Sequence, residues 1–211
     1  FGHGLVLDPY LPSVVLGGLT VAQAGAAAHQ ARLLPALAAG RLRLALAVEE
    51  PGGGAFATRA TGDADGWHVT GHKAVVLGAP EADIVLVAAR DAAAGDTLLL
   101  LVPPSAPGVT LRPYPLIDGR AAADMLMAEA PLAADALLVR GAAADAAIER
   151  ATLAGALATV AEGVGAMEAA LERTVAHLRT LEQFGVRLSS LQALLDASAA
   201  ALVGEKVLAL Y

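Results

Sequence analysis

"WHVTGHKAVVLGAPEADIVLVAAR", Trp67 to Arg90, is the stretch on which the fold turns. Its β-branched and aromatic residues fall in short runs separated by Gly71, Gly78 and Pro80, which predicts strand, tight turn at Thr70–Gly71, strand, loop and strand. The middle of it, "GHKAVVLGA", sets Ala74, Val75, Val76 and Leu77 directly after Gly71 and Lys73. A hairpin tip facing water would be polar, so something is expected to cover this edge. Outward from it, "RLRLALAVE", "FATRAT", "TLLLLV", "GVTLRPY" and "ALLVR" repeat the strand pattern between Gly, Pro and Asp, and predict a mainly antiparallel sandwich or barrel over residues 42–140. Residues 1–41 read as helical, with "HQARLLPALAAGR" giving a helix, a turn and a short helix that ends at Gly40. From Gly141 onward there is no proline. That part predicts one long helix stopping at Gly185 and a second opening at Ser189 or Ser190, with Leu188, Leu191, Leu195, Ala199 and Leu202 at helical spacing. The expected class is α+β: a helical segment, a central antiparallel β-domain and C-terminal helices over 141–211.

Composition narrows the function. Fourteen basic against 21 acidic residues give a net charge of −7 with no Lys/Arg stripe, so nucleic acid is not an expected partner. The mean hydropathy of +0.60 rests largely on alanine, a helix former more than a lipid partner. Prolines and glycines interrupt the uncharged stretch from Asp8 to Arg32, and Asp145, Glu149, Arg150, Glu162, Glu168, Glu172 and Arg173 punctuate the stretch from Ala142 to Val175, so no membrane span is expected. The absence of cysteine excludes disulfides, thiolate nucleophiles and sulfur zinc sites, and suits a cytoplasmic protein. The opening Phe1-Gly2-His3-Gly4 reads as no signal peptide and lacks an initiator Met, so the chain is expected to be incomplete at one or both ends.

Local motifs exclude more than they assign. "EEPGGGAF" follows a strand but precedes another, unlike a P-loop or a dinucleotide fingerprint. His68 and His72 have no third ligand nearby in sequence, so no metal site is expected, and no Ser, His and Asp arrangement emerges from spacing.

Three ordered stretches carry a family resemblance. "LLPALAAGRLRLALAVEEPGGG", "ATGDADGWHVTGHKAVVLGAPEADIVLVAAR" and "LEQFGVRLSSLQALLDASAA" resemble, in that order, segments of the acyl-CoA dehydrogenase family. Within the family the likeness is to bacterial chains that serve as one subunit of a two-gene enzyme. The resemblance implies FAD-dependent α,β-dehydrogenation of an acyl-CoA thioester, with electrons passing to an electron-transfer flavoprotein. It also implies a partner, either a homologous subunit or a second copy. It places Val48, Glu49, Val75, Val76 and Leu77 against the flavin, Gly54 and Ala55 at the substrate, and Arg179, Phe184 and Gln192 toward the flavin, the last two at the flavin of a neighbouring subunit. The apolar edge at Ala74–Leu77 would then be covered by cofactor; burial against neighbouring helices is the alternative.

The departures from the family are chemical. Where the family has an aromatic and then a hydroxyl residue bonding the flavin near N5, this chain has Val75 and Leu77, neither a side-chain donor. Glu49 stands in place of a hydroxyl residue, and a carboxylate there disfavours an electron-rich reduced flavin. Ala55 replaces a Ser that helps hold the pantetheine, and Leu181 replaces an Arg that pairs with the FAD pyrophosphate, leaving Arg179 as a partial substitute. The reaction needs a carboxylate base opposite the flavin. Most relatives carry it beyond the position matching Tyr211, and a minority early in the first long C-terminal helix, which makes Glu149 in "IER" the one candidate. Counted back from Phe184 and Gly165, the base position falls on Gly155, so Glu149 reads as a solvated helix carboxylate. A noncatalytic structural subunit, without flavin or CoA, is the competing reading.

Overall fold

The computed structural model of the chain describes residues 1–53, 57–63, 65–183 and 185–208. By internal contacts the chain divides into two compact units, one of Asp8–Gly155 and one of Phe1–Leu7 with Ala156–Tyr211. The first opens with a π-wound helix, Leu11–Gly18, that continues as α1 (Leu19–Ala24); α2 (Ala27–Ala38) follows. Pro35 was expected to break this stretch, but it lies inside α2. It removes one helical donor, and the burial of Leu33 against the core offsets that loss.

The β-strands of this unit are β1 (Leu44–Ala47), β2 (Arg59–Gly62), β3 (Trp67–Leu77), β4 (Ile84–Asp91), β5 (Thr97–Val102), β6 (Val109–Pro115), β7 (Ala121–Leu132) and β8 (Leu137–Arg140). They form one sheet in the order β6-β7-β3-β2-β4-β5-β8, with β1 added beside β4. The sheet is mostly antiparallel, as expected, but β4 pairs in parallel with both β1 and β2, so it is a mixed sheet. Two apolar clusters lie on its two faces. One gathers Val69, Val76, Val87, Leu98, Leu100 and Met125; the other sets Leu86, Leu99 and Leu101 against Val21 and Leu33 of the helices and Ala144 and Ala147. Burial on both faces is why "TLLLLV" runs without alternation.

Two expectations change here. The turn expected at Thr70–Gly71 is absent, and β3 continues through it as one eleven-residue strand. Gly71 permits close approach instead of a turn, because a Cβ there would lie 2.3 Å from Thr58 Oγ1. The second is β7, whose run of alanines gives no β-branched signal. It forms because it pairs with β3 on one side and β6 on the other.

The helix α3 (Ala142–Thr180) ends before the expected Gly185, and a short hairpin, β9 (Glu182–Gln183) with β10 (Val186–Arg187), intervenes before α4 (Gln192–Leu208). Of the glycines in α3, Gly155 is closely packed, since a Cβ would sit 2.7 Å from Leu16 Cδ2, and a Cβ at Gly165 would meet the His3 amide at 2.8 Å. Gly163 meets nothing within 4 Å. Among the described residues α3 is long and apolar enough to cross a membrane, with a window of mean hydropathy 1.2. Seven charged side chains between Asp145 and Arg173 recur along it.

Candidate functional site

The residues that follow β1, Val48–Glu50, lie beside the later half of β3, and an ion pair holds the two together. Lys73 is fully buried, and its ammonium donates to Glu50 Oε1 at 2.6 Å and to the Val48 carbonyl at 3.0 Å. The carboxylate of Glu50 also accepts the amides of Ala57 at 2.6 Å and Thr58 at 3.1 Å. Burial alone would raise Glu50, but the hydrogen bonds from Lys73 and from these amides outweigh it and hold the group at about 2. Burial lowers Lys73, and attraction to Glu50 pulls it only part of the way back. The two directions differ: the carboxylate's favours the charged pair, the ammonium's records the cost of burying it. Three donors on one carboxylate, at these distances, decide for the ion pair. Neither residue stood out in the sequence as functional. The available signal was a single Lys among the inward positions of β3.

Beside this pair lies the apolar edge. The Ala74 amide donates to the Glu49 carbonyl at 2.9 Å, which brings Val48–Glu49 and Val75–Leu77 together. Val76 points into the core, Leu77 is half-buried, and Val75 is 54% exposed at φ 52°, a left-handed conformation unusual for a β-branched residue. The Val75 amide donates to Asp124 Oδ1 at 3.2 Å, and the Tyr114 hydroxyl donates to the same oxygen at 2.9 Å. These bonds, Tyr114's first, hold Asp124 below its ordinary range. Burial and the Asp124 bond push Tyr114 up. His72 Nε2 stands 3.9 Å from Asp124 Oδ2. Neither Asp124 nor Tyr114 was anticipated; they come from strands 10 positions apart that only the sheet brings side by side.

The remaining expected residues are placed elsewhere. Glu149 is exposed on α3. Arg179 is exposed near the C-terminal end of α3, and Gln192 opens α4 with its amide donating to Asp196 Oδ1 at 2.8 Å. Gly54, Ala55 and Phe184 lie outside the described residues. Among the described residues no group of three His, Asp or Glu side chains is arranged to hold a metal.

Comparison with known proteins shows what this frame is similar to. The family model for the acyl-CoA dehydrogenase middle domain matches residues 45–129. Acyl-CoA dehydrogenase FadE12 of Mycobacterium tuberculosis is 31% identical over 147 residues, 65% of this chain and 37% of that protein. Among solved structures, the ChsE4-ChsE5 complex from Mycobacterium tuberculosis aligns over 97% of this chain and 54% of its own, with 28% identity and a TM-score of 0.81. A glutaryl-CoA dehydrogenase from Mycobacterium smegmatis in complex with FADH2 aligns over 90% of this chain and 51% of its own, at 24% identity and a TM-score of 0.78, a likeness of fold. The chain thus spans 37% of the curated relative and about half of the solved ones. The match to the middle domain of that family thus covers residues 45–129, and the likeness of fold extends along the described chain.

Proposed function

We propose that this chain is one subunit of an acyl-CoA dehydrogenase assembly that carries out FAD-dependent α,β-dehydrogenation of an acyl-CoA thioester. Its partner is a homologous subunit or a second copy, and the partner supplies the catalytic base. An electron-transfer flavoprotein takes the electrons, and the setting is the cytoplasm. The observation that carries this reading is the edge at Val75–Leu77: an exposed apolar residue fixed at left-handed φ beside Val48–Glu49, in the part of the chain that matches the family. Likeness to a complex of two different subunits, ChsE4-ChsE5, supports the heteromeric form.

The residues at this edge do not fit the polar rim of a flavin. Val75 and Leu77 carry no donor, and the amides of Ala74, Val75 and Gly78 are already committed to Glu49, Asp124 and Ala121. The exposed Glu49 and the Asp124 carboxylate flank the edge. What remains is an apolar wall that can exclude water, with backbone and Lys73–Glu50 contacts keeping it in place. The chain alone is therefore expected to bind FAD weakly. The same observation favours the second reading, a structural subunit that supports a catalytic partner and binds neither flavin nor CoA.

Affinity purification of the tagged chain from its native host, with mass spectrometry and a visible spectrum, tests both. A homologous subunit or a stoichiometric self-assembly that carries flavin absorbance is the expected result. A stable assembly without flavin would establish the structural reading instead. Tight, stoichiometric FAD on the chain in isolation would overturn the shared site.

A further inference from the structure

Two irregularities interrupt the β3–β7 pairing, one between Val69 and Gly71 and one between Lys73 and Val76. In the first, β7 carries the extra residue and Glu129 takes φ 47°; in the second, β3 carries it and Val75 takes φ 52°. Such bulge positions ordinarily go to glycine, which has no Cβ to strain. Each is held in the same way. The amide of the left-handed residue donates to a side-chain oxygen on the facing strand: Glu129 to Thr70 Oγ1 at 3.1 Å, Val75 to Asp124 Oδ1 at 3.2 Å. Each accepting side chain is tied a second time, Thr70 by donating to Glu129 Oε1 at 2.6 Å and Asp124 by accepting from Tyr114 at 2.9 Å.

The two differ in what they present. At Glu129 the strained residue is charged and exposed. At Val75 it is β-branched and apolar, it makes up the candidate edge, and its left-handed backbone sets where Val75 and Leu77 project. Strain kept at such a place is a reason to look for function there. We propose that Asp124, held by Tyr114, is a positioning residue that clamps the Val75 amide and so fixes the Val75–Leu77 edge in its projecting form. His72 and Arg112 face the same carboxylate from β3 and β6 and bias it further toward its charged, accepting state. The consequence for a flavin-facing wall rests on the function proposed above; the clamp itself does not.

Amide hydrogen exchange on the isotope-labelled full chain tests it. Asp124→Ala is expected to speed exchange at Val75 about tenfold, as for loss of one ordinary hydrogen bond, while Val87 in β4 and Leu99 in β5 keep their protection. Asp124→Asn retains a carbonyl oxygen and is expected to restore most of it. Equal exchange at Val75 in the parent and Asp124→Ala would overturn the proposal, as would failure of Asn to rescue. Should Asp124→Ala lose protection throughout β4 and β5, Tyr114→Phe decides: faster exchange confined to the Val75 region supports the clamp, and no change overturns it. Titration of the same variants with FAD, read by flavin fluorescence, separates the two ideas. Binding by the parent that weakens in Asp124→Ala joins clamp to flavin. Absence of FAD binding by the chain alone agrees with a site shared with a partner, and the exchange result then judges the clamp.

Discussion

The β-sheet and the later part of the helical region use the same apolar residues in opposite ways. In β5 all six residues are buried, and Leu98 through Leu100 have no exposure. Along α3 and α4, Leu157 and Val203 are each 64% exposed, and Val160, Met167 and Leu202 are open as well. Between α3 and α4 an apolar cleft of about 540 Å³ is lined by Met167, Ala170, Leu171, Leu178, Leu194 and Ala201. The difference teaches that the sheet buries its own apolar surface within the chain, whereas these helices carry more of it than the chain covers.

The largest effect that could break the comparison is expected at Lys73. Lys73→Met leaves the buried Glu50 carboxylate without its cation, and a loss of ~3–5 kcal/mol is expected in urea unfolding followed by circular dichroism. Adding Glu50→Gln should recover part of it; a single variant as stable as the parent would mean that the pair contributes nothing to the sheet. Next is a matched pair of truncations. Leu99→Ala should cost ~2–5 kcal/mol and Leu157→Ala no more than about 0.5, and equal costs would erase the distinction drawn between the regions.

Association sharpens it from the other side. Leu157→Asp with Leu202→Asp should leave the sheet's unfolding midpoint in place while shifting the particle toward monomer or aggregate in light scattering. A soluble monomer before and after would show that these faces meet no partner. Acid provides a smaller effect. Glu50 sits at about 2 against an ordinary 4.5, so its contribution is complete above pH 4.5 and disappears as pH falls toward 2. Glu50→Gln should flatten that acid limb, and an unchanged limb would assign it to other carboxylates. The smallest change is expected at Glu149: Glu149→Gln should alter neither stability nor acyl-CoA turnover by the assembly, and an orders-of-magnitude fall in rate would restore it as the base.

Much of the arrangement was legible before the structure, for a local reason. Periodicity and turn residues are properties of neighbours in sequence, so the helical, β, helical order and seven of the strand regions could be read directly. Val48–Glu49 and Val75–Leu77 were brought together by resemblance, and the structure joins them through Ala74 and Glu49. The misreadings fall where local signals mislead. Thr70–Gly71 has the look of a turn, yet Gly71 serves an approach to Thr58; the alanines of β7 have little strand preference, yet pairing on both sides recruits them. Pro35 likewise lies inside a helix, and the packing of Leu33 on that helix is not visible in the residues around it.

The sequence by itself determined the chemistry available to this protein: no cysteine, no hydroxyl at Leu77, a carboxylate at Glu49 and a strand of leucines able to bury both faces. Side-chain type is a property of one position, and no fold can add a donor that is not encoded. The tertiary structure alone decided which groups meet. Lys73 finds Glu50 across 23 positions, and the Val75 amide finds Asp124 across 49. Those contacts depend on strand register and on two bulges that reset it, and register is a collective outcome of the whole sheet, written in no single segment.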